Sequence, residues 1–106
     1  MLKEQIKVIV KAPRRSAEPR IIPNTLEELQ GIVGGYIDVV RFASDCVIIC
    51  NEEGKLRGMD HNMFLMGEDF VGPIIIAGTS GEDFDDIPMG YDEFVELMPG
   101  LKEADA

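Results

Sequence analysis

The chain has 106 residues, 45% of them hydrophobic and 28% charged, and its 20 acidic and 10 basic side chains leave a net charge of −10. That length and apolar content fit one folded domain over residues 1–106 and exclude a wholly disordered acidic tail. No apolar run approaches the roughly 18 residues of a membrane helix, and the stretch from Met1 to Lys7 lacks the apolar core of a secretory signal, so a cytoplasmic protein that does not span a membrane is expected.

Gln5-Ile6-Lys7-Val8-Ile9-Val10-Lys11 alternates around β-branched residues and predicts a first strand. Pro13, Pro19 and Pro23 bracket a basic stretch, residues 12–23, which reads as a loop or an irregular edge. Asn24-Thr25-Leu26-Glu27 has the form of a helix start with Asn24 as cap. Leu26, Leu29, Ile32 and Val33 then repeat at helical spacing until Gly34-Gly35 ends the helix. Tyr36 to Phe42 and Asp45 to Asn51 alternate with period two and predict an antiparallel hairpin about Ala43-Ser44. Asn51-Glu52-Glu53-Gly54-Lys55 reads as a tight turn, with Gly54 at positive φ and a short strand returning around Leu56.

Met59 to Met66 has no clean period and predicts a loop or a single helical turn, and Phe70 to Gly78 predicts a strand, with Pro73 marking an edge or bulge. After a turn at Thr79-Ser80-Gly81 comes an acid-rich segment. A closing helix, Tyr91 to Met98, then places Tyr91, Phe94, Val95 and Met98 on one side, and residues 101–106 are expected to fray. The order β-α-β-β-β-β-α defines an α+β domain with a mostly antiparallel sheet and helices against one face.

The ingredients of catalysis are scarce. His61 is the only histidine, and Cys46, Cys50, Ser16, Ser44 and Ser80 lie in no nucleophile motif. Cys46 and Cys50, four apart on a strand, have Cα atoms about 13 Å apart, too far for a mutual disulfide, and both read as reduced and buried. Three Cys or His side chains are too few for a structural zinc, and the acids at 82–86 lack the spacing of a calcium loop. Neither metal nor cofactor is expected, and the chain reads as a non-enzyme.

Charge is the stronger signal. Residues 1–20 carry a net +4 and residues 58–106 a net −11. Either the basic arm folds back on the acidic end, or the acids meet a basic partner. Direct nucleic-acid binding is disfavoured, because the overall field repels phosphate.

Gly34-Gly35-Tyr36-Ile37-Asp38-Val39-Val40, Ile48-Ile49-Cys50-Asn51-Glu52-Glu53-Gly54-Lys55, Asn62, and Asp69-Phe70-Val71-Gly72-Pro73-Ile74-Ile75-Ile76-Ala77-Gly78 together resemble the domain-of-unknown-function 3846 family, over roughly residues 20 to 80. The basic arm and the acidic C-terminal segment lie outside that stretch. The resemblance implies no activity; it implies a small protein of bacteria, phages or mobile elements, a setting in which acidic proteins often act against host defences.

Two binding readings follow. In the first, Glu82, Asp83, Asp85, Asp86, Asp92, Glu93 and Glu96 occupy a basic surface of a host protein, as an anti-defence inhibitor or a nucleic-acid mimic. In the second, Arg14, Arg15 and Arg20 join Asn51, Glu52 and Asn62 to hold a small polar, nucleotide-like ligand. A plain structural or accessory role is the third expectation. For the matched residues the structural account is that Asn51 and Asn62 satisfy loop backbone groups. An unpaired edge strand would permit a homodimer.

Overall fold

Both faces of β1 (Gln5–Lys11) carry apolar side chains, and this sets the strand inside a sheet: Ile6, Val8 and Val10 turn to one core, Ile9 to the other. The computed structural model describes residues 3–102. Around β1 run β2 (Glu18–Pro23), β3 (Ile37–Ala43), β4 (Cys46–Asn51) and β7 (Ile74–Ser80), in the order β2-β1-β7-β4-β3, with every pairing antiparallel. β8 (Asp83–Asp85) pairs with β7 beyond the end of β1. A separate hairpin, β5 (His61–Leu65) with β6 (Glu68–Val71), lies over the sheet.

The α+β class and mostly antiparallel sheet are those the sequence predicts, and the helices fall in the expected order. Helix α1 (Leu26–Val33) packs Leu29 and Val33 against Val47, Ile49, Ile75 and Ala77 on one face. Helix α2 (Tyr91–Leu97) packs Phe94 and Val95 against the opposite face, with Ile48, Ile74 and Ile76. The expectation that the helices share one face is thus corrected. The central strands β4 and β7 are apolar on both sides, so each face needs its own cover.

Local differences have local causes. The segment 12–23 contains an edge strand, although prolines argue against one. Pro19 and Pro23 are four apart, so both fall on the set of residues whose backbone turns away from β1, where a missing N–H costs no ladder bond. Thr25, not Asn24, caps α1, its Oγ1 accepting from Glu28 N at 3.2 Å, while Asn24 donates to the Lys3 carbonyl. Gly34 closes the helix at φ +84° as expected.

No strand forms around Leu56, which stands in solvent; the strand lies at His61–Leu65. Gly54 does not hold positive φ; a Cβ there would meet Val71 Cγ2 at 2.9 Å, so close approach is what requires glycine. The stretch expected as one strand from Phe70 to Gly78 is divided at Gly72 (φ +70°) and Pro73, and β7 is central rather than an edge. Residues 101 and 102 are not frayed: Leu101 is fully buried and its carbonyl accepts from Ala17 N at 2.7 Å. The rest of the expected frayed end, 103–106, lies outside the described residues. No helix among the described residues is long and apolar enough to cross a membrane.

Candidate functional site

Helix α1 does not cover the whole of its face of the sheet. Beside Ile32 the sheet is left open over Val10 and Ala12, and the β1–β2 loop and Pro73 rise around the gap to enclose a depression of about 950 Å³. Arg14, Arg15 and Ser16 line it from the loop, and Glu18 and Arg20 from β2. Strand register puts Glu18 opposite Val10 and Arg20 opposite Val8, hence both on the α1 side.

The loop is a tight turn, Ala12-Pro13-Arg14-Arg15, in which Arg15 N donates to the Ala12 carbonyl at 3.2 Å. Proline second and a left-handed residue third are the marks of a type II turn, but the third residue here is Arg14, at φ 60°, where glycine is the usual choice. Its side chain forms an ion pair, open to water, with Asp60 at 2.7 Å. Arg15 and Arg20 have no ion pair or hydrogen bond from their guanidinium groups among the described residues.

The asparagines do different work. Asn62 is buried on β5; its Nδ2 donates to the carbonyls of Lys11 and Gly72, both at 2.8 Å, and its Oδ1 accepts from Lys11 Nζ at 2.9 Å. It braces the two chain segments that lead into Ala12 and Pro73 at the rim, with its polar atoms already engaged. Asn51 donates to the Val33 carbonyl and accepts from Glu53 N, tying the end of α1 to the following turn. With Glu52 it borders a separate cavity of about 200 Å³. Arg14, Arg15 and Arg20 are therefore brought together; Asn62 supports them from below, and Asn51 and Glu52 stand apart.

The acids divide too. Asp86 Oδ1 accepts from Lys7 N at 2.8 Å and Ile87 N donates to the Lys7 carbonyl at 2.9 Å, so this segment satisfies the half of β1 that β7 does not reach. Lys3 Nζ lies 3.0 Å from Asp85 and 2.9 Å from Asp86. The Lys7 N–H first, and Lys3 second, lower the Asp86 carboxyl below its ordinary value; Lys3 chiefly lowers Asp85. Part of the basic arm thus folds back on the acidic end. Glu82, Asp92, Glu93 and Glu96 are exposed and Asp83 half-buried, with no basic partner among the described residues.

Asp86→Ala is expected to cost about 1–2 kcal/mol at pH 7, leaving Lys7 N without its acceptor. Because the folded-state value lies below the unfolded 3.8, that contribution is present above 3.8 and is lost as pH falls through the folded value. Urea unfolding of both proteins at pH 7 and at about pH 2 checks it; an undiminished penalty in acid contradicts the assignment.

Cys46 is buried and Cys50 half-buried, both free, and burial pushes each thiol up to about 11, so neither is a thiolate at neutral pH. His61 is exposed, its Nδ1 2.5 Å from Asp69 Oδ1. Among the described residues no three His, Cys, Asp or Glu side chains are grouped as metal ligands.

Fold and site together define a small α+β domain, a sheet covered on both faces, with a cation-lined depression where one cover stops short. The chain belongs to the domain-of-unknown-function 3846 family, whose profile matches residues 6–98. That span is wider than the 20 to 80 read from the motifs, and takes in the arginine loop and the acidic segment as far as Met98. No curated protein and no solved structure matches the chain.

Proposed function

We propose that the protein is a non-enzymatic binding protein that captures a small anionic ligand in the arginine-lined depression. One observation carries this reading: in a chain of net charge −10, Arg15 and Arg20 line one concavity with Arg14 and find no carboxylate partner among the described residues. Outside the depression Lys3 and Lys55 each pair with an acid, and at its rim Arg14 pairs with Asp60. Guanidinium groups suit phosphate and carboxylate because their planar donors engage two oxygens at once. The apolar floor of Val10, Ala12 and Ile32 adds a surface for the uncharged part of the ligand.

The test is calorimetric titration of pyrophosphate into the purified protein at low salt. The wild type is expected to bind, and the Arg15→Ala/Arg20→Ala double variant to lose about 100-fold or more in affinity, the sum of two charge-assisted contacts. A wild type that binds no pyrophosphate defeats the reading.

The competing reading, in which the acids occupy a basic host surface in a phage or mobile-element setting, rests on Asp92, Glu93 and Glu96, exposed on α2. It is the weaker one, because Asp85 and Asp86 are engaged within the fold. Glu93→Lys with Glu96→Lys separates the two: these changes leave pyrophosphate binding intact if the depression is the site.

A further inference from the structure

The depression holds one acid as well as three arginines. Glu18 is exposed on β2, two residues from Arg20 and on the same face. Although it lines a concavity with three guanidinium groups, it pairs with none of them, nor with any other cation among the described residues. A carboxylate inserted among arginines weakens the capture of a simple anion. It becomes useful when the ligand carries hydrogen-bond donors at one end and negative charge at the other.

We propose that Glu18 reads the base of a guanine nucleotide whose phosphates lie on Arg14, Arg15 and Arg20. This rests on the anion-capture reading above and specifies its ligand.

The chemistry of the carboxylate makes the choice. An ionised carboxylate only accepts, and its two oxygens suit two parallel donors. Guanine offers N1–H beside the 2-amino group, two adjacent donors on one edge. Adenine and cytosine set their amino groups beside a ring-nitrogen acceptor, and uracil flanks its N–H with two carbonyls; each of these presents lone pairs to the carboxylate. Val10 and Ile32 on the floor, with Pro13 and Pro73 at the rim, supply apolar contact for the flat base. A volume of about 950 Å³ admits a whole nucleotide.

The experiment titrates GDP, ADP and pyrophosphate against the wild-type chain, Glu18→Gln and Arg15→Ala/Arg20→Ala, at one fixed low salt. The wild type is expected to prefer GDP over ADP by about 10- to 100-fold, the range for hydrogen bonds to a charged group. Glu18→Gln is expected to abolish the preference by weakening GDP while ADP and pyrophosphate bind as well as before or more tightly, the repelling charge being gone, and the double arginine variant to weaken all three. Thermal unfolding of Glu18→Gln is expected to match the wild type, because the side chain is exposed and unpaired. Equal binding of GDP and ADP, or a preference that Glu18→Gln does not change, overturns the role of Glu18 while the anion site stands. Failure of the wild type to bind any of the three removes both.

Discussion

Asn62→Ala is expected to destabilise the fold by about 3–5 kcal/mol, because one side chain makes three buried hydrogen bonds. Its amide bonds to the Lys11 and Gly72 carbonyls and its carbonyl to Lys11 Nζ join β1, the turn before β7 and β5 in one buried node. Truncation removes both donated bonds and takes an acceptor from a lysine that is itself only 1% exposed. Asn62→Asp is expected to be nearly as harmful: it keeps an acceptor for Lys11 but loses both donated bonds and sets a carboxylate against two carbonyl oxygens. In a domain of this size such a loss is a large share of the whole stability. Urea unfolding monitored by far-ultraviolet circular dichroism gives the number; an unfolding free energy within about 1 kcal/mol of wild type would show that the node is not what holds the hairpin on the sheet.

Asn62 also shows where sequence reading reaches and where it stops. The sequence marks the residue, and ligand contact and backbone satisfaction are both chemically sound roles for it. What separates them is its burial and the identity of its partners, fifty-one and ten residues distant, which no local pattern encodes. The periodic elements were legible because burial writes a period into the chain: β1, α1, the β3–β4 hairpin and α2 all lie where alternation or helical spacing places them.

The β5–β6 hairpin was not legible. Its two-residue turn is Met66-Gly67, both at positive φ, and methionine gives no signal for a left-handed backbone. Exposed Phe64 and Met66 further blur the alternation. β2 was obscured by prolines whose harm depends on which way each N–H points, a matter of register that the paired strand decides. The arginine cluster was half legible. Its residue types were evident, but their separation from Asn51 and the presence of Glu18 beside them follow from the fold.

Gly78→Ala is expected to be among the most damaging small substitutions available, about 3–5 kcal/mol, although glycine to alanine adds a single methyl. Gly78 lies in β7 without a left-handed backbone, so conformation is not what requires glycine. A Cβ at this position would stand 1.9 Å from the Asp86 carbonyl oxygen and 2.9 Å from its carbon. Backbone cannot swing aside as a flexible side chain would. Asp86 is fixed by its own bond to Lys7 N, by the bond from Ile87 N to the Lys7 carbonyl, and by Lys3. Accommodation therefore means detaching the β8 segment from the open half of β1, and the penalty combines lost hydrogen bonds with exposed core.

Gly31→Ala is the matched control. It lies on the exposed side of α1, with nothing within 4 Å of an added Cβ, so the same chemical change is expected to stabilise by about 0.5–1 kcal/mol through helix propensity. Opposite signs for the two variants, read as midpoint shifts in urea at pH 7, are the expected result. A near-neutral Gly78→Ala would mean that the Asp86 carbonyl does not pack against β7. The fold-back of the basic arm on the acidic segment, which depends on that seat, would then lose its foundation.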